Sequence, residues 1–151
     1  MEEIVRKKGI PPLPGGIKIH SASRGALPSL ELDDISEAGI QDIVEKVRTG
    51  AYPSVMMSPD EYGEEGYLTL ESSPDLIFLQ IWDAESETAW TCFDPDHLDS
   101  DEEAPIEASD SQSVFPMKCT MKDRELAARC VEWYAHTLEP YPGMEWQKET
   151  F

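Results

Sequence analysis

Apolar residues recur along this chain with two different periods, and the change of period divides it into elements. In the stretch 114–146, VFPMKCTMKDRELAARCVEWYAHTLEPYPGMEW, the residues Leu126, Ala127, Cys130, Val131, Tyr134 and Leu138 stand at i, i+3, i+4 and i+7 spacings. That spacing puts them on one stripe of an amphipathic helix of about four turns. Thr120 is a suitable N-cap, and Asp123 three residues later completes a capping-box-like pair at the positive end of the helix dipole. Pro140 and Pro142 stop the helix, because proline has no N–H and clashes with the preceding turn. After Gly143, Met144-Glu145-Trp146 predicts a short last edge strand. A second stripe, Ile40, Ile43, Val44 and Val47, predicts a helix from about Ile35 to Arg48. Asp34 or Ser36 is its N-cap, Lys46 and Arg48 sit at the negative end of its dipole, and Gly50 fits the C-cap.

Between the two helices the period shortens to two. Pro53–Met57 is a candidate strand, Gly66–Glu71 alternates, Leu76–Trp82 is apolar except at Gln80, and Thr88–Phe93 follows. Turn-like clusters at 60–65, 72–75 and 84–87 separate them, which favours an antiparallel meander. The fold class predicted is α+β: a single antiparallel β-sheet (meander) packed by two main α-helices, in the order α, β-meander, α, β. Residues 1–30, rich in Pro, Gly and Ser, read as an irregular arm in which Ile17–His20 forms at most a brief pinning strand. Residues 31–151 read as a single α+β domain. Asp94–Ser113, DPDHLDSDEEAPIEASDSQS, breaks both periods and reads as a long, mostly exposed acidic loop, a kind of segment that is usually either functional or disordered.

Composition sharpens this picture at one point. The chain of 151 residues carries 31 Asp and Glu against 12 Lys and Arg, a formal net charge of -19. Such a surface repels phosphate backbones and anionic membranes, so neither nucleic acid nor a membrane is expected as a partner. The same field attracts a basic protein and speeds its capture, although solubility alone is also served by it. Length and apolar content suffice for a core without a metal or disulfide staple. No apolar run approaches the ~20 residues of a membrane span. The basic N-terminus has no apolar segment after it, so no secretory signal is expected. The three cysteines, Cys92, Cys119 and Cys130, are never spaced as CxxC and read as buried free thiols of a reducing cytoplasm.

The candidate chemistry is that of binding. The acids Asp94, Asp96, Asp99, Asp101, Glu102 and Glu103 form the densest negative run and read as a surface that docks into a basic site, or else as a solvated linker. A calcium-loop register can be laid over Asp99, Asp101, Glu103, Glu107 and Asp110. Ala104 stands where that loop requires Gly, and Asp110 where it requires a bidentate Glu. His20, His97 and His136 lack paired ligand spacing, so neither metal nor cofactor is expected, and His136 reads as a rim residue beside the helix stripe. No nucleophile elbow, phosphate-binding loop or dinucleotide fingerprint occurs, and Cys130 reads as core, so no enzyme is expected. Trp82 and Trp90 flank one predicted hairpin, where part-exposed aromatic rings serve as interface anchors. Core and rim packing is the plainer reading for them and for Trp133 and Trp146.

In 114–146 the helix aromatics Trp133 and Tyr134, the proline at Pro140 or Pro142, and the strand tryptophan Trp146 resemble the C-terminal half of immunity-protein family 1, one of the bacterial polymorphic-toxin immunity families. The helix at Ile35–Arg48 and the meander from Val55 to Phe93 fit that layout, so the resemblance spans about Ile35 to Trp146. Leu138-Glu139 stand where members usually carry a Gly and a basic residue. The resemblance implies a cytoplasmic protein that binds a cognate toxin domain, for example a deaminase or nuclease, and blocks its active site. The toxin contacts expected are Asp94, Asp96, Asp99, Asp101, Glu102, Glu103, Trp82 and Trp90. The other classes to weigh are an acidic adaptor or chaperone for a secreted effector, and a small hydrolase with an unrecognised site.

Overall fold

The computed structural model describes residues 2–24, 30–31, 35–61, 63–107 and 113–151. Its elements in chain order are β1 (Glu2–Val5), β2 (Ser21–Arg24), β3 (Leu30–Glu31), α1 (Glu37–Thr49), β4 (Ser54–Ser58), β5 (Gly66–Ser72), β6 (Ile77–Asp83), β7 (Thr88–Thr91), β8 (Thr120–Met121), α2 (Arg124–Thr137) and β9 (Trp146–Thr150). The strands form one sheet in the order β1-β9-β7-β6-β5-β4-β2-β3, with the short β8 paired to β6. Every pairing among them is antiparallel. The α+β class and the central β4-β5-β6-β7 meander are therefore as the alternation implied.

Alternation puts every second side chain of a strand on the same face. Val55 and Met57, Leu68 and Leu70, and Ile77, Leu79 and Ile81 all lie on one face and are buried. Both helices cover that face. Ile40, Ile43, Val44 and Val47 of α1 join Ala127, Cys130, Val131 and Tyr134 of α2 in the same apolar core. Of the α2 stripe, Leu126 and Leu138 are only partly buried at its ends. Ser36 caps α1, its hydroxyl accepting the Gly39 N–H at 3.1 Å, and Gly50 ends it at φ 82°; Asp34, the other cap candidate, lies outside the described residues. Arg48 reaches from α1 to Glu125 of α2 at 2.5 Å, and Gln41 donates to Glu132 at 2.7 Å, so polar contacts close the solvent side of the helix pair.

Several sequence expectations are corrected here. The first thirty residues are not wholly an irregular arm. Glu2–Val5 pairs with β9 and Ser21–Arg24 pairs with β4, so both are built into the sheet, while Ile19 sits in the core. Met144-Glu145-Trp146 is not a last edge strand. Tyr141–Gly143 turn back, the Trp146 indole N–H donates to the Tyr141 carbonyl at 2.9 Å, and β9 begins at Trp146 and lies between β1 and β7. Thr120 does not cap α2: with Met121 it pairs to β6, and the cap passes to Asp123, which accepts the Leu126 N–H at 3.1 Å. His136 is not a rim residue. It is 3% exposed beneath α1, with Nε2 3.3 Å from Glu37. Trp133, too, is buried.

Candidate functional site

The two α-helices cover one face of the sheet, and neither packs on the other. Across its middle runs a register row of polar side chains: Thr69 of β5, Gln80 of β6, Thr91 of β7 and Gln147 of β9. Gln80 Nε2 donates to Thr91 Oγ1 at 3.0 Å. This row explains the one polar residue in the apolar run 76–82, since Gln80 faces away from the helices. With Glu71 and Glu149 it floors an open depression of about 550 Å3. Glu71 is buried and accepts a hydrogen bond from the Ser54 hydroxyl, its register partner on β4.

Apolar side chains border the row at its far end. Met56 of β4 is 38% exposed, Tyr67 and Trp82 are half-buried register partners, and the exposed Phe151 ring meets Trp82 edge-on at 5.9 Å. Gly66 makes the close strand approach there possible, because a Cβ on it would stand 2.5 Å from the Trp82 carbonyl oxygen.

At the near end the acidic segment lies across the same open face. It is a correction to the exposed-loop expectation that this segment carries its own small core. Ala104, Ile106 and Phe115 bury against Leu76 and Phe78, and the Phe78 and Phe115 rings stack at 4.5 Å. A 3-10 turn at Pro95–His97 begins the segment. Asp94 is spent on that turn, accepting the Asp96 N–H at 2.9 Å and lying 2.8 Å from His97 Nδ1. Desolvation opposes its ionisation, but the Asp96 N–H and the His97 ring outweigh it and hold the carboxyl below its usual range. Asp96, Asp99, Asp101, Glu102 and Glu103 remain exposed to solvent. Backbone bonds from Met117 N–H to the Glu102 carbonyl and from Ala104 N–H to the Phe115 carbonyl tie this acidic ridge to the segment Phe115–Met117. Residues 108–112 lie outside the described residues, and with them Asp110 of the calcium register. Among the described residues no group of three His, Cys, Asp or Glu side chains is placed to hold a metal ion.

The hairpin tryptophans do not act together. Trp82 pairs with Ala89 and points to the open face, whereas Trp90 pairs with Ile81 and points to the helix face, half-buried. Of the expected contact set, the structure therefore turns Trp82 to the open face, leaves Asp96, Asp99, Asp101, Glu102 and Glu103 exposed, uses Asp94 for local structure, and turns Trp90 to the helix face. The residues sequence reasoning missed are Met56, Tyr67, Thr69, Thr91 and Gln147. Their signal was the polar phase of the alternation, readable only once the strand register is known.

The cysteines are free thiols. Cys92 and Cys130 are buried and Cys119 is half-buried at the edge of the depression. Burial pushes the Cys92 thiol up to about 12 and Cys130 well above its usual range. No helix among the described residues is long and apolar enough to cross a membrane. Comparison with family models, with curated proteins and with solved structures finds no match to this chain.

Proposed function

We propose that this protein is an immunity protein. It binds a cognate, basic toxin domain in the cytoplasm and blocks that domain's active site, with no catalysis and no cofactor of its own. The observation that carries the reading is the uncovered sheet face: a polar floor of Thr and Gln, an apolar end at Met56, Tyr67, Trp82 and Phe151, and an acidic ridge at Asp96–Glu103 beside it. Aromatic anchors within a polar surround are the anatomy of a protein interface. A net charge of -19 favours a basic partner, and an active site that holds nucleic acid is basic. The resemblance of residues 35–146 to immunity-protein family 1 points the same way. The toxin class that fits is one acting on nucleic acid, such as a nuclease or deaminase.

The test is co-expression with the product of the neighbouring gene. The reading expects the two proteins to co-purify and the host cells to survive. If the purified protein neither binds nor inhibits that product, the reading is wrong.

A further inference from the structure

A second cavity, of about 640 Å3, opens on the helix side of the sheet. Four aromatic residues line it: Trp90, Trp133, Tyr141 and Trp146. Trp133 and Tyr141 meet edge-on at 5.8 Å. The Trp146 indole N–H is used by the Tyr141 carbonyl, but the buried Trp133 Nε1–H has no acceptor among the described residues. Two carboxylates, Asp83 and Glu139, also border the cavity.

The rest of the wall comes from the turn after α2, from Lys148 of β9 and from the chain's own N-terminal arm. The Lys8 N–H donates to the Pro142 carbonyl at 2.7 Å, and the Lys18 N–H donates to the Ala135 carbonyl at 2.9 Å, so the arm is held at both ends. Between these anchors Gly9–Gly16 is exposed and has no regular hydrogen bonding. Its sequence dictates an extended form. Pro11, Pro12 and Pro14 have φ fixed near -65°. Ile10, Pro11 and Leu13 each precede a proline and are kept from the helical region. Such a run favours the left-handed polyproline form of three residues per turn, which leaves its carbonyls without internal partners. Three residues per turn align Lys8, Pro11 and Pro14 on one ridge. Lys8, Gly9 and Pro11 of the arm line the cavity.

We propose that this aromatic groove recognises a proline-rich extended segment of a partner protein, one with a basic residue three positions before its first proline. The chain's own Lys8–Pro14 is the resident competitor. Aromatic-lined grooves favour such segments because the ligand is already ordered before it binds. A partner segment displacing the arm supplies a carbonyl for the Trp133 N–H and sets its basic side chain against Asp83 and Glu139. This site lies apart from the open face and does not depend on the immunity reading.

The probe is the synthetic peptide Lys-Gly-Ile-Pro-Pro-Leu-Pro, titrated into the full chain in its natural form and with Pro11→Ala, Pro12→Ala and Pro14→Ala combined. Tryptophan fluorescence and the indole N–H resonance of Trp133 are followed. Saturable one-to-one binding to the arm variant is expected, with a shifted Trp133 resonance. Binding to the natural chain should be weaker by about tenfold or more, because the tethered arm competes at high effective concentration. Trp133→Phe should weaken binding about fivefold through loss of one hydrogen bond. Should the triple variant melt early, Pro11→Ala alone, which keeps both anchoring bonds, carries the same comparison. Equal binding of a peptide with alanines for its prolines would overturn the proposal. So would a folded arm variant that takes up no peptide, or binding that leaves the Trp133 resonance unmoved.

Discussion

Leu79 and Gln80 are neighbours on the central strand β6 and point to opposite faces, so substituting each in turn tests the two-faced sheet. Leu79 is 0% exposed, pairs with Leu70 and lies in the core shared with both helices. Leu79→Ala removes three methylene-sized groups, which at roughly 0.8 kcal/mol each amounts to about 2.4 kcal/mol. The cavity left behind raises the loss to about 3–4 kcal/mol, because a packed core collapses only in part. At roughly 2–4 °C per kcal/mol for a chain of this size, the melting temperature should fall by about 6–16 °C. Gln80→Ala loses one half-solvated hydrogen bond to Thr91 and little apolar contact, which costs about 0.5–1.5 kcal/mol. Thermal unfolding followed by far-UV circular dichroism measures both. Equal shifts, or a larger one for Gln80→Ala, would refute the assignment of faces and with it the open-face site.

Gly66→Ala should lower the melting temperature by an amount equivalent to about 1–3 kcal/mol, since the new Cβ meets the Trp82 backbone oxygen rather than a side chain that can move aside; unchanged stability would mean β5 and β6 are not that close. Alkylation of the native protein at pH 8 should modify Cys119 alone, because Cys92 and Cys130 are buried and held protonated. Mass mapping would expose an error in the packing of α2 if Cys130 reacts before unfolding. Asp99→Asn, Asp101→Asn, Glu102→Gln and Glu103→Gln together should slow association with the toxin at low salt, with the difference shrinking above roughly 0.15 M, where the Debye length is about 8 Å. Stopped-flow kinetics giving the same association rate at low salt would reduce this ridge to a solvated surface.

The helices were legible in the sequence because two independent signals coincide in each. The stripe Ile40, Ile43, Val44 and Val47 is bounded by Ser36 and Gly50, and the stripe of α2 ends at Leu138 before Pro140. The meander was legible because its strands alternate between turn-forming clusters. The strands β1 and β2 were not. Glu-Glu-Ile-Val is too short to show an alternation, Ser-Ala-Ser-Arg has no β-branched or aromatic residue, and both pair because β9 and β4 offer them open edges. Thr120 has cap chemistry, yet tertiary pairing with Phe78 claimed it. In the acidic segment Ala104, Ile106 and Phe115 are too sparse to show a period, so the small core on the open face is visible only in three dimensions. The same holds for the site. Trp82 and Trp90 looked alike in the sequence but lie on opposite faces, because a hairpin's register, and not its composition, decides which side a ring occupies.

The most direct test of the proposed function is inhibition of the product of the neighbouring gene, titrated with the natural protein and with a Met56→Glu, Trp82→Ala variant. Both substituted residues are part-exposed on the open face, so the variant should keep its fold. Loss of a central aromatic anchor typically costs 2 kcal/mol or more at an interface, which is about thirtyfold in affinity. The account predicts one-to-one inhibition by the natural protein and at least about a thirtyfold weaker inhibition by the variant. No inhibition by the natural protein, or equal inhibition by both, would contradict it.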